Sequence, residues 1–370
     1  MANSGTTRRQ SGISMVEVLV SLTLSMILTL VVAQIYSSNR QAYRLQEAQS
    51  RIQENGRFAL ELLTKNLRRV GNMGCHTAKP AVNMPAVFVN ASPSPTISTV
   101  TAIQGNDAST TISGYPVSSS SFSSANWTPA APSSINAAVA GTDIFSVQFA
   151  EPCGGYLQAP VSANASTLSI LSSNTCPSSA VTSELVLSDC GSIEVFRAES
   201  LSQSTVNNTP VTQIKIGIDS NNPPAKVSNT QPFFRFDHNQ DAEVMLFRSY
   251  TYFIGLFNSS EPTLYQIDNV AATTPQPIIE GVEDMQLLYG IDVNKLDGSV
   301  DQYLTASDVD AKNGWANVIA VRVDLVLRST GADGDNVTVA KSNACNGTPV
   351  TDNRLRRCYS FTINLRNPRA

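Results

Sequence analysis

From Val18 to Asn39 no residue carries a charge, and most are apolar. Taken as one helix, residues 13–36 span about 36 Å at about 1.5 Å per residue. That crosses a hydrocarbon core of about 30 Å. One acid interrupts the pattern, Glu17, close to the start of the apolar run. An unpaired carboxylate in lipid costs roughly 2.5–3.5 kcal/mol on insertion scales, so a partner is expected. Cleavage between Gly12 and Ile13 would create an α-amine one helical turn from Glu17. The carboxylate can pair with that amine or with the amine of a neighbouring subunit.

The pattern then changes from wholly apolar to amphipathic. Residues 40–73 contain no proline. Leu45, Ile52, Ala59, Leu62 and Val70 recur on one helical face. Glu47 and Arg51, Arg57 and Glu61, and Glu61 and Lys65 have the spacing of helical ion pairs. Gly71 and Gly74 are stop signals. The spacing predicts one helix from Ile13 to about Met73, roughly 90 Å long, with Gly56 as its weak point or bend. Its first half suits lipid or a filament core, and its second half suits the face of a sheet.

Beyond the helix, strand-like runs recur at 143–149, 184–188, 193–197, 212–218, 244–257, 285–291, 318–328 and 359–365. The clearest is 318–328. Ile319, Val321, Val323, Leu325 and Leu327 share one face, and Arg322, Asp324 and Arg328 share the other, as in a half-buried antiparallel strand. Residues 80–142 hold a single charge, Asp107, among many Ser, Thr, Pro and Ala. They read as a surface excursion or a loosely ordered β-region. One long helix followed by strands and turns gives an α+β fold, with an antiparallel β-rich head against the helix. The expected divisions are a leader at 1–12, a membrane or filament-core helix at 13–36, its amphipathic continuation at 37–74, and the head at 75–370.

Composition narrows the function. Of 370 residues only 15% are charged, and the net charge is −4. Phosphate binding needs a surplus of Lys and Arg, so no direct nucleic-acid partner is expected. Removing 1–12 takes away Arg8 and Arg9 and makes the chain more acidic. With two histidines, His76 and His238, a multi-histidine metal site is excluded. Both read as surface or structural residues, one at the helix end and one in an acidic turn. The chain has no GxSxG, HExxH, phosphate-binding loop or dinucleotide fingerprint, so no catalytic residue is proposed.

Gly12, Ile13, Glu17 and the uncharged run after them resemble the leader and mature start of a type IV prepilin. The resemblance implies cleavage after Gly12 by a prepilin peptidase and N-methylation of Ile13. It also implies that Glu17 sets the register of the subunit in a helical filament. Further on, YTYFIGLFNSSEPTLYQ (250–266), PIIEGVEDMQLLYGID (277–292), WANVIAVRVDLVLRS (315–329) and RLRRCYSFTINLRN (354–367) resemble the PilW family of type IVa minor pilins, in that order. The segment around 278–289 is also similar to one in GspJ-type minor pseudopilins of type II secretion, which are much shorter. The PilW resemblance implies a pilin-like fold. Its expected partners are other minor pilins, the major pilin and a PilY-type tip adhesin, in a priming complex at or near the pilus tip. It also implies support of twitching motility, adhesion and DNA uptake. The chain would start as a single-pass inner-membrane protein with a periplasmic head and end in a surface pilus.

Other readings of the N-terminus are a secretory signal cut after Ala33 and a twin-arginine signal at Arg8-Arg9. Glu17 falls inside the apolar region of the first, and polar residues follow the arginines of the second. A type II secretion pseudopilin remains the alternative function, and a membrane-anchored periplasmic enzyme or carbohydrate-binding module the next.

Six cysteines, Cys75, Cys153, Cys176, Cys190, Cys345 and Cys358, lie in the exported part and suit three disulfides. Proximity favours Cys345–Cys358 and Cys153–Cys176, which leaves Cys75–Cys190. No CxxC pair points to zinc. Two acidic loops have oxygen ligands at alternate positions, as calcium sites do. One carries Asp237, Asn239, Asp241 and Glu243. The other carries Asp292, Asn294, Asp297 and Asp301 around Gly298. Neither matches an EF-hand loop, and acidic turn residues are usually only turns. No other cofactor is expected.

Overall fold

The computed structural model describes residues 12, 14–74, 76–77, 87–89, 91–92, 102–108, 123–132, 135, 137–171, 176, 184–189, 191–217, 228–257, 261–270, 272–294, 297–330 and 347–366. A helix of 55 residues, Met15–Arg69, leads into a large, mainly antiparallel sheet and a smaller antiparallel one, with two short two-stranded ladders beside them. Ser14 caps its start, its hydroxyl accepting from the Val16 N–H at 3.4 Å. At the other end the Val70 N–H reaches back to the Leu67 carbonyl. Gly71 then turns the chain at φ +73°, where glycine alone is unstrained. Its N–H bonds to the Gln148 carbonyl at 3.0 Å. The helix therefore ends at Arg69, a turn short of Met73, because Asn72–Met73 pairs as a short strand with His76–Thr77.

The buried stripe is Ala48, Ile52, Gly56, Ala59, Leu63, Asn66 and Leu67, with Val70 beyond the end. Steps of three and four keep it on one face. Leu45, expected on that face, is exposed because the head begins to cover the helix only at Ala48. Leu62 is half-buried beside the stripe. The helix passes through Gly56 unbroken. That glycine is a point of close approach, since a Cβ there would overlap the Tyr359 ring. The Tyr359 hydroxyl donates to the Ile52 carbonyl at 3.2 Å. Of the expected ion pairs on the helix, Glu47–Arg51 forms at 2.7 Å. Arg57, Glu61 and Lys65 make none among the described residues.

The small sheet orders Gln302–Leu304, Val282–Ile291, Val318–Arg328 and Arg356–Asn364, each antiparallel to its neighbour. In the large sheet, Glu243–Phe257 is central. It pairs with Ile144–Tyr156 on one edge, and with Glu184–Ser188 and Glu261–Asp268 in turn on the other. Ile193–Val206, Thr209–Ile216 and Thr167–Leu171 extend it outward. Ala272–Glu280 holds Pro275 and Pro277 and, among the described residues, pairs only with Glu261–Asp268. Proline lacks the N–H that a strand between two neighbours needs, so this strand fits an edge.

The main core joins all three parts. Ile52, Ala59, Leu63 and Leu67 of the helix meet Val321, Val323 and Leu325 of the small sheet and Phe145, Val147 and Tyr252 of the large one. A second core, built on Leu168, Ile170, Phe196, Ile214 and Phe234, fills the far end of the large sheet. The stretch 80–142 is partly woven into the head. Ile103–Ala108 joins the large sheet beside Ile144–Tyr156. Trp127 is buried, and its indole N–H donates to the Thr142 carbonyl at 2.8 Å. Cys153 and Cys176 are bonded, with their Cα atoms 4.8 Å apart. Cys358 is also disulfide-bonded. Cys75, Cys190 and Cys345 lie outside the described residues.

Candidate assembly surfaces

Residues 14–47 are exposed throughout, and they carry the most apolar part of the chain. Met26 shows 70% of its surface and Leu30 65%. Side chains this apolar, in an unbroken cylinder, call for a lipid or protein covering. The four hydroxyls between Ser21 and Thr29 are internally satisfied. Ser25 and Thr29 each donate to the carbonyl four residues earlier at 2.7 Å. Ser21 does the same to Glu17, and Thr23 bonds the Leu19 and Val20 carbonyls. Such groups are costly in a dry medium only when unbonded. Glu17 sits in the first turn, where the helix dipole favours a negative charge. Its carboxylate has no partner among the described residues. Gly12 is exposed, and Ile13 lies outside the described residues.

The joint between helix and head is held by polar contacts as well as by the core. Asn66 donates to the Tyr252 hydroxyl at 2.6 Å, and that hydroxyl donates to Gln266 at 3.2 Å. Asn55 donates to the Glu280 carbonyl at 3.0 Å. Arg69 pairs with Glu151 at 2.9 Å.

Beneath this joint lies a charged cluster. Glu283, fully buried, accepts from Arg328 at 3.1 Å and from Arg356 at 2.7 and 3.2 Å. Glu261 accepts from Arg328 at 3.0 Å and Arg354 at 3.3 Å. Asp352 accepts from Arg356 at 2.5 and 2.9 Å. Burial works against an ionised Asp352, but the Arg356 guanidinium holds its carboxyl below the usual range. Carboxylates in turn raise the Arg356 guanidinium against the cost of its burial. Here the reading of 318–328 needs correction. Arg322 and Asp324 face outward and pair at 3.3 Å, but Arg328 is buried. The outer face of that strand is open at its middle and covered at its end.

His238 is also buried. Its Nδ1 lies 3.0 Å from Asp189 and 3.3 Å from the Ser192 hydroxyl, and its Nε2 lies 3.0 Å from Glu194. The residue count matches a hydrolytic triad, but the geometry does not. Asp189 and Ser192 crowd the same ring nitrogen. The Gly191 and Ser192 N–H groups that would face an oxyanion both donate to Asp189 instead. Burial opposes charge on Asp189, yet those two N–H bonds and His238 keep its carboxyl below the usual range. The arrangement ties the turn at 234–241 to Asp189, Ser192 and the start of the strand Ile193–Val206. The side chain of His76 lies outside the described residues.

In the acidic loops the carboxylates brace turns. Asp237 accepts from the Ala163 N–H at 2.7 Å. Asp292 accepts from Gly298 at 2.8 Å, and Asp301 from Val293 and Asn294 at 2.8 and 2.9 Å. Asp297 accepts from Ser299 at 3.0 Å. Among the described residues, no group of three or more His, Cys, Asp or Glu side chains is placed to hold a metal ion.

Two family models match the chain. Residues 251–367 match PilW, the type IV pilus-assembly protein W. Residues 7–33 match the prokaryotic N-terminal methylation motif. Comparison with curated proteins finds no match, and comparison with solved structures finds none. The first region holds all four strands of the small sheet, Tyr359 and the Glu283 cluster; the second holds Glu17 and the start of the apolar cylinder.

Proposed function

We propose that this chain, whose residues 251–367 match the type IV pilus-assembly protein W and whose residues 7–33 match the N-terminal methylation motif, acts as a minor pilin in a priming complex with other minor pilins and a PilY-type tip protein. In this reading the complex sits at or near the tip and starts the pilus to which the major pilin is then added. The observation that carries the reading is the division of one helix into an apolar half left exposed among the described residues and a half clamped to a large head.

Assembly needs three steps of chemistry and packing. Prepilin peptidase cuts between Gly12 and Ile13, and Ile13 is N-methylated. Glu17 then neutralises an N-terminal amine in a medium of low dielectric. There an ion pair is strong and a lone charge costly, so correct register is favoured over slipped ones. Apolar helix faces exchange lipid for one another as the subunit leaves the inner membrane. Twitching motility, adhesion and DNA uptake follow from the finished pilus.

The test combines N-terminal sequencing with substitution. Protein purified from the envelope is expected to begin at a methylated Ile13. Glu17→Ala is expected to leave the head folded and to reduce surface pili sharply. A chain beginning at Met1 or Gln34, or full piliation by the Glu17→Ala strain, would overturn the reading.

A further inference from the structure

The exposed flank of the joint has its own chemistry. A groove of about 710 Å³ runs between helix residues 57–69 and the edge strand Arg356–Asn364. Leu60, Phe361 and Ile363 give it apolar lining. Arg57, Lys65, Arg68 and Arg366 give it a basic rim, and all four are exposed. None of the four forms an ion pair among the described residues. Arg69 also lines the groove but is committed to Glu151 and to the Phe149 ring, 5.7 Å away. Four uncommitted cations around one groove stand out in a chain of net charge −4.

We propose that this groove receives an acidic, amphipathic segment of a neighbouring subunit, which names the chemistry of one partner and rests on the minor-pilin reading. The apolar lining takes the segment's hydrophobic side chains, and the rim takes its carboxylates. Glu61 lies inside the groove. It repels an unbroken phosphodiester backbone but tolerates a peptide whose charges are spaced and mixed. Lipid headgroups are out of reach. Arg57 lies 21 residues past Tyr36, the end of the apolar run, or about 30 Å along the helix. That is several times the screening length of about 8 Å at physiological salt.

The test places a photoreactive residue on the exposed edge, Thr362→p-benzoylphenylalanine, in the full chain in cells. The expected adduct is a peptide of net negative charge from another pilus subunit. Adding Lys65→Glu and Arg68→Glu should lower its yield about tenfold without moving the melting temperature. Replacing the acids of the captured peptide by Lys should restore it. A yield indifferent to charge reversal overturns the proposal. So does an adduct with nucleic acid, phospholipid or a neutral or basic segment, or the absence of any adduct in piliated cells. Piliation of the Glu17→Ala strain is scored alongside. Normal piliation there sinks the minor-pilin reading itself, whereas lost piliation with a charge-indifferent adduct sinks the groove alone.

Discussion

The two halves of the long helix obey the same backbone rules and differ in everything else. Residues 14–47 are exposed, although they hold the most apolar side chains of the molecule. From Ala48 onward the sequence is more polar, yet one stripe is buried against both sheets. Hydrophobicity alone does not decide what is buried within one chain. It decides what will be covered once the right neighbour is present. The head supplies that neighbour for the second half, and a bilayer or other helices supply it for the first.

Substitutions that separate the halves should fall in a clear order of size. The largest loss is expected from Glu283→Ala, which leaves Arg328 and Arg356 buried without their shared carboxylate. Breaking a buried charge cluster in this way costs about 3–5 kcal/mol. Thermal unfolding of the full chain in detergent measures it, and a loss below about 1 kcal/mol would show that the cluster does not hold the joint. Next is Gly56→Leu, which drives a side chain into the Tyr359 ring at a cost of about 1–3 kcal/mol. Combining it with Tyr359→Ala should recover part of the loss. Full additivity would mean that the two residues do not meet.

The pH dependence comes next in size. Burial raises Asp143 to about 7, against N–H bonds from Leu287 and Ala108. Burial raises Glu184 to about 7 as well, against its pairing with Arg197. Both acids bind protons more tightly folded than unfolded, so the folded head takes up protons between about pH 4 and 7. Stability therefore rises as pH falls from 8 toward 5, because the folded head takes up protons there that the unfolded chain binds only at lower pH. Below about pH 4 the trend reverses, as Asp352 and Asp189, whose folded carboxyls titrate low, take up protons. Melting temperature across this range checks the sign, and Asp143→Asn should flatten the upper part. The smallest effect on the head is expected from Leu30→Ala in the free half. That side chain is 65% exposed, so the melting temperature should hold within about 0.5 kcal/mol. Its effect should appear in piliation.

Much of this architecture can be read from the residues. The apolar run, the change of period after Arg40 and the stop at Gly71 outline the helix, and alternation marks Val318–Arg328. Period shows which residues share a face, however, and not what lies beyond it. Arg328 therefore reads as solvent-facing, because nothing local reveals Glu261 and Glu283 above it. Gly56 reads as a bend, because a missing side chain is visible in sequence and the ring that fills its place is not. The partners of His238 lie 44 and 49 residues away. Arg57, Glu61 and Lys65 have the spacing of ion pairs, which hides the basic groove they line. The strand Ala272–Glu280 escapes detection for the opposite reason, since its prolines argue against any strand until its place at an edge is known.

The uncovered half of the helix has one mechanical consequence. Some 33 residues of free cylinder make an arm about 50 Å long between the helix start and the head. A tilt of about 10° at the anchored end swings the far end sideways by roughly 9 Å. Contacts between heads fit only within an ångström or so, and a lone subunit rocking in a fluid bilayer sweeps far beyond that tolerance. Under the proposed assembly, clamping the stalk against its fellows would come before any firm grip between the bulky ends.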